Sequence, residues 1–139
     1  MENEAEIRKG RHCVHELSAH LVFVTKCRGN VFTEPMLTRC EEILRNVCAD
    51  FECELVEFNG EHDHVHLLVG FPPKVALSTL VNSLKGVSAR YLRKEYDSHV
   101  REYLWGGHFW SRSYYAGSTG GANLTTVRTY IQGQDRPTR

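Results

Sequence analysis

The stretch from Gly60 to Pro73 limits what this chain can fold into more than any other. Gly60 to Asp63 reads as a turn and His64 to Phe71 as a strand. Pro72-Pro73 stops that strand, because proline has no N–H to give to a sheet ladder. Cys53 to Asn59 reads as another strand just before the turn, so the two are expected to pair as an antiparallel hairpin.

Helical periods flank this hairpin on both sides. Upstream, His20 to Cys27 alternates around an apolar centre and reads as a strand. Thr33 is a candidate N-cap with Pro35 in the first turn, and Leu37, Cys40, Leu44, Val47 and Phe51 follow at steps of three and four. Downstream, Leu77, Leu80, Val81, Leu84, Val87 and Tyr91 mark a helix from about Val75 to Tyr96. Residues 97–112 read as irregular and rich in aromatics, and Ser113 to Ala116 as a short last strand. Gly117 to Gly121 reads as a hinge and Asn123 to Gln134 as a third helix. The order β-α-β-β-α-β with a terminal helix predicts an α+β, ferredoxin-like (RRM-like) fold: an antiparallel sheet with helices on one face.

A chain of 139 residues that is 41% hydrophobic and 24% charged is expected to form one domain, over residues 17–139, behind a polar arm of residues 1–16. The net charge is zero but divided. Residues 1–70 hold seven Lys/Arg against thirteen Asp/Glu, and residues 71–139 hold ten against four. A neutral total argues against a sequence-blind nucleic-acid coat, while the basic half permits a local phosphate-binding face. The five cysteines form no C-x-x-C pair and read as thiols rather than a zinc site. Apolar runs such as Leu21 to Val24 are too short to span a bilayer, and the acidic start has no leader-like stretch. A cytoplasmic protein without a membrane partner is therefore expected.

The chemistry centres on His64-Val65-His66. Side chains alternate across a strand, so both imidazoles point one way, about 7 Å apart along it. Val65, Leu67 and Val69 point the other way, into a core. Such a pair can hold one divalent ion, with His62 as a rival ligand and Asp63 placed to orient an imidazole. On a helical wheel of the last helix, Leu124, Val127, Arg128 and Ile131 form the packing stripe, and Tyr130 and Gln134 share a face beside it. By the wheel alone, Tyr130 reads as a half-buried surface tyrosine rather than a reactive one, and Gln134 as an ordinary helix-end amide.

Several segments together are similar to one family. Gly60-x-x-Asp63-His64-Val65-His66-Leu67-Leu68-Val69 resembles the histidine-hydrophobic-histidine motif of the single-tyrosine transposases that move small bacterial insertion sequences of the IS-two-hundred type. The resemblance continues in Leu84 to Arg90, in Leu104 to Tyr115 and in Tyr130-Ile131-x-x-Gln134, covering the chain from His20 onward. It implies His64, His66 and Gln134 as ligands of Mg²⁺ or Mn²⁺, and Tyr130 as the nucleophile on a phosphate of single-stranded DNA. The implied product is a 5′-phosphotyrosine link with a free 3′-hydroxyl, later rejoined without a nucleotide cofactor. The resemblance further implies recognition of DNA hairpins and a homodimer joined sheet edge to sheet edge. In that dimer the tyrosine helix of one subunit can complete the site of the other.

Elementary chemistry agrees with that assignment. A free phenol, with a pKa of about 10, is about one part in a thousand ionised at neutral pH, so its attack gains from a metal that polarises and orients the phosphate. Lys85, Arg90, Arg93 and Lys94 on the second helix are candidate phosphate contacts, and the aromatics from Tyr103 to Trp110 candidate base-stacking groups. Two other readings stand beside this one: a hydrolytic metal-dependent phosphodiesterase using water, and a non-enzymatic nucleic-acid-binding module of ferredoxin-like fold.

Overall fold

The computed structural model describes residues 8–9, 14–15, 17–119 and 123–139. Two short strands, β1 (Arg8–Lys9) and β2 (Val14–His15), pair antiparallel ahead of the main body, where the sequence suggested only a polar arm. The main sheet has four strands: β3 (Ser18–Thr25), β4 (Glu54–Gly60), β5 (His64–Gly70) and β6 (Trp110–Thr119). They lie in the order β4-β5-β3-β6, every neighbouring pair antiparallel. Helices α1 (Glu34–Asp50), α2 (Leu77–Glu95), α3 (Asp97–Tyr103) and α4 (Leu124–Gln132) complete the fold. This is the expected ferredoxin-like arrangement with its terminal helix.

Alternation decides what each face of the sheet holds. Leu21, Phe23, Leu55, Phe58, Val65, Leu67 and Val69 point into one core with α1 and α2. Thr33 caps α1 by accepting from the Met36 amide at 3.3 Å, and Leu37, Cys40, Leu44 and Val47 are buried as their spacing predicted. In α2 the buried line runs Leu80, Val81, Leu84, Ser88 and Leu92, whereas Tyr91 stands at the surface. The small Ser88 is buried because it accepts the Trp110 indole N–H at 3.0 Å while donating to the Leu84 carbonyl at 2.7 Å.

Two segments differ from expectation. Residues 97–103 form α3, anchored by buried Val100 and by a 2.8 Å contact between His99 Nε2 and the Val31 carbonyl. β6 runs well past Ala116, because Gly117 pairs with His20 and Thr119 with Ser18, whose hydroxyl also donates to the Thr119 carbonyl at 3.0 Å. Gly117 is thus part of a strand rather than a hinge, and a Cβ there would collide with the Tyr115 ring. Gly120 and Gly121 lie outside the described residues.

The hairpin beneath the histidines is tight. A Cβ on Gly60 would sit 2.7 Å from the His64 carbonyl oxygen and 3.0 Å from side-chain atoms of Leu37 and Val65. Only a glycine fits this close approach, which sets where β5 begins. Among the described residues no helix is long and apolar enough to cross a membrane.

Candidate active site

His64 and His66 leave the face of β5 opposite the main core. On that face Leu68 is fully buried by Leu124 and Ile131 of α4, with Val56 and Val127 at the margin. The predicted stripe of α4 therefore seats the helix on the sheet, and polar contacts fix it there. Glu57 on β4 accepts from Arg128 at 3.1 Å and from Gln132 at 2.9 Å. Asn59 donates to the carbonyls of Ile131 and Gln132 at 3.1 and 3.3 Å, capping a helix end whose last turn holds no basic residue. Beyond Gly133, Arg136 reaches Glu34 at 2.8 Å and Asn59 Oδ1 at 3.3 Å.

This seating carries Gln134 to the histidines, two residues beyond the end of α4. Its Nε2 donates to the Tyr130 carbonyl at 3.3 Å, which turns Oε1 inward, 3.3 Å from His64 Nε2. The His64 ring in turn stands edge-on to His66, with centroids 5.0 Å apart. On the other side of the His64 ring, Nδ1 lies 2.7 Å from Asp63 Oδ1. Burial alone would raise the Asp63 carboxyl, but the hydrogen bond with His64 and the Arg28 guanidinium at 3.3 Å hold it below the usual carboxylate range. An ionised carboxylate only accepts, so Nδ1 carries the proton of a neutral His64 and the lone pair is left on Nε2. Two lone-pair atoms then face each other across 3.3 Å, an arrangement that a cation between them satisfies.

The donor set fits a divalent ion. Adjacent ligands of an octahedral ion with bonds of about 2.1 Å stand about 3 Å apart. His66 is 5% exposed, and burial followed by the neighbouring imidazoles lowers its pKa to about 4, so it is neutral and able to ligate at neutral pH. The third donor is an amide: among the described residues no three His, Cys, Asp or Glu side chains are placed to share a metal. The Tyr130 ring stands edge-on to His66, with centroids 5.4 Å apart, and is 57% exposed, open to a large substrate.

The four residues His64, His66, Tyr130 and Gln134 are thus brought together within one chain. His62 is not with them: its Nδ1 lies 3.1 Å from the Phe32 carbonyl, tying it to the loop before α1. The cations of α2 are not with them either, because α2 packs on the opposite face of the sheet. The Lys85 ammonium donates to the carbonyls of Ser111 and Arg112 at 2.6 and 3.2 Å, and Arg93 donates to the Gly106 carbonyl at 2.8 Å. Arg90 and Lys94 are exposed. Of the aromatics, Phe109 and Trp110 are core, whereas Tyr103 and Trp105 are exposed, Trp105 by 85%.

Two residues at the site went unremarked in the sequence. Arg28 opens Arg28-Gly29-Asn30, which reads as an ordinary turn, and only the fold sets it against Asp63. His20 opens the first predicted strand, and only the β3–β5 register sets it diagonal to His66.

Comparison with known proteins is consistent along the chain. The family model described as "Transposase IS200 like" matches residues 13–134. The ISDra2 transposase TnpA of Deinococcus radiodurans is 33% identical over 129 residues, which covers 93% of this chain and 91% of that protein. The transposase for insertion sequence element IS200 of Salmonella typhimurium is 31% identical over 115 residues, 83% of this chain and 74% of that one. A crystal structure of a Deinococcus radiodurans R1 protein described as a transposase has a TM-score of 0.74 at 32% identity, covering 91% of this chain and 97% of its own. A REP-associated tyrosine transposase bound to a REP hairpin has a TM-score of 0.57 at 10% identity, covering 89% and 67%; it shares the fold.

Proposed function

The chain belongs to the family of IS200-like transposases, and from that premise we propose that it cuts and rejoins single-stranded DNA at insertion-sequence ends through a tyrosine-linked intermediate. The observation that carries this reading is the convergence of His64 Nε2 and Gln134 Oε1, 3.3 Å apart, with the exposed ring of Tyr130 beside His66. His64, His66 and Gln134 would hold Mg²⁺ or Mn²⁺. Such an ion, when bound, supplies Lewis-acid polarisation of a phosphodiester and a fixed orientation for it. The three donors are neutral and hold the ion weakly alone, so DNA phosphate oxygens would complete its shell and couple ion binding to strand binding.

Tyr130 is the nucleophile. Its phenolic oxygen bonds to phosphorus as the P–O3′ bond breaks; the phenol loses its proton and the departing 3′-oxygen gains one. The 5′-phosphotyrosine conserves the bond energy, so attack by a 3′-hydroxyl reverses the step and rejoins the strand. Hairpin recognition is part of the proposal, supported by the shared fold of the REP-associated tyrosine transposase bound to a REP hairpin. So is a homodimer: β6 is an edge strand, exposed from Arg112 to Ala116, and offers a row of backbone groups to a second sheet. Membership of a transposase family removes the non-enzymatic alternative.

The ligand assignment is tested with His64→Ala and His66→Ala. Each is expected to abolish Mn²⁺ binding, read by electron paramagnetic resonance, and DNA cleavage with it, while far-UV circular dichroism stays unchanged. Full cleavage by either variant would end the metal reading.

A further inference from the structure

His64 and His66 are held from behind by different partners. His64 has Asp63 at 2.7 Å on Nδ1, which leaves Nε2 free to ligate. His66 has no carboxylate in that place. Its Nδ1 lies instead 2.9 Å from Nε2 of His20, and the two rings meet edge to edge, their planes 25° apart and their centroids 5.2 Å apart. Two neutral imidazoles can make this bond in two ways. If His66 Nδ1–H donates, His20 Nε2 accepts and His66 keeps its lone pair on Nε2, beside Gln134. If His20 Nε2–H donates, His66 carries its proton on Nε2 and cannot ligate there.

We propose that His20 is a positioning residue: it accepts from His66 Nδ1–H and thereby holds His66 in the one tautomer that can bind the metal. The inference rests on the reading of His66 as a ligand. The surroundings hold His20 in place for the task. Its ring lies edge-on to Tyr115 and Tyr130, at 5.6 and 6.2 Å, and its backbone is paired on both sides, with Leu68 of β5 and Gly117 of β6. His20 also touches Tyr130, so the same ring that sets the ligand borders the nucleophile.

The test has a readout that needs no metal. In the metal-free wild-type protein, long-range ¹⁵N–¹H spectra of labelled histidine, with His66 assigned by its loss in His66→Ala, should report Nδ1–H for His66. His20→Ala should shift His66 towards the Nε2–H form and weaken Mn²⁺ binding about 10- to 100-fold, the usual effect of removing such a partner. His20→Gln, whose amide oxygen reaches about where Nε2 stands, should restore both to within a few-fold of wild type. A purely packing role would move neither the tautomer nor the rescue. An Nε2–H tautomer in the wild type overturns the proposal, even if His20→Ala fails to fold. So does Mn²⁺ binding in His20→Ala within twofold of wild type while His66→Ala loses it. Undiminished Mn²⁺ binding in His66→Ala would instead overturn the ligand reading, and this inference with it.

Discussion

Asp63 and His64 are adjacent in sequence yet do separate jobs, because a strand begins between them. Asp63, in the turn, accepts from Nδ1; His64, on β5, presents Nε2. Removing the carboxylate should cost more than one hydrogen bond, since it frees the ring to turn and to change tautomer. Asp63→Ala is expected to weaken Mn²⁺ binding about 10- to 100-fold, with Asp63→Asn in between because its amide oxygen still accepts. Titration followed by electron paramagnetic resonance checks both, and unchanged affinity in Asp63→Ala would contradict the account. At this scale the sequence was informative where geometry is local. Strand alternation puts His64 and His66 on one face; helical spacing paired Tyr130 with Gln134, but α4 ends at Gln132, short of the expected Gln134, and the bond from Gln134 to the Tyr130 carbonyl keeps the two together. His20 was illegible because its partner lies 46 positions away, and nothing local to residue 20 encodes that register. Lys85 reads as a free cation in sequence, but its ammonium lies over the Phe23 and Tyr114 rings and serves two carbonyls.

The decisive element is α4, nine residues long and buried mainly through Leu124 and Ile131. So little apolar surface makes a weak anchor, and the polar clamp from Glu57, Asn59 and Glu34 makes up for it. Glu34 gives this clamp a pH limit. The hydrogen bonds from Arg136 and Thr38 hold its carboxyl below the usual range, so its contribution is fully present above the ordinary glutamate pKa. That contribution is lost as pH falls through the lower folded value. Acidification below the ordinary carboxylate range is therefore expected to free residues 135–139 before α4 detaches, and Glu34→Gln to free them already at neutral pH. Amide exchange at Arg136 reads both; protection that persists at low pH in the wild type, or at neutral pH in the variant, would contradict this. Element order was legible because the stripe of each long helix keeps one period. α3 was not, since seven residues with one buried side chain give no period. The length of β6 was not legible either, since Gly117-Ser118-Thr119 looks like a loop until Ser18 and His20 pair with it.

For the whole molecule, the two faces of the sheet divide structure from chemistry: α1 and α2 close one, while the other carries the histidines under α4. The basic second half of the chain does not gather at the histidines. Arg128 and Arg136 near the site are paired with Glu57 and Glu34, so the chain does not meet DNA as a uniformly positive surface. Strand binding should still weaken with salt, about twentyfold between about 50 and 200 mM for every three phosphates neutralised. Cleavage of single-stranded hairpin DNA should far exceed that of the same sequence as a perfect duplex, whose paired phosphates cannot be drawn down onto a site flanked by a helix. Equal rates on the two would refute the single-strand assignment. The resemblance allows the tyrosine helix to reach across a dimer, whereas here it lies on the histidines of its own chain, with Gln134 reaching His64 directly. The central claim, that Tyr130 forms the covalent link, is tested most directly by incubating the protein with end-labelled single-stranded hairpin DNA and Mg²⁺ and resolving the products by denaturing electrophoresis. The account predicts a protein-linked band for the wild type and none for Tyr130→Phe, which keeps the ring and still binds DNA; an adduct that persists in Tyr130→Phe, or cut DNA in the wild type with no adduct at any time, would contradict it.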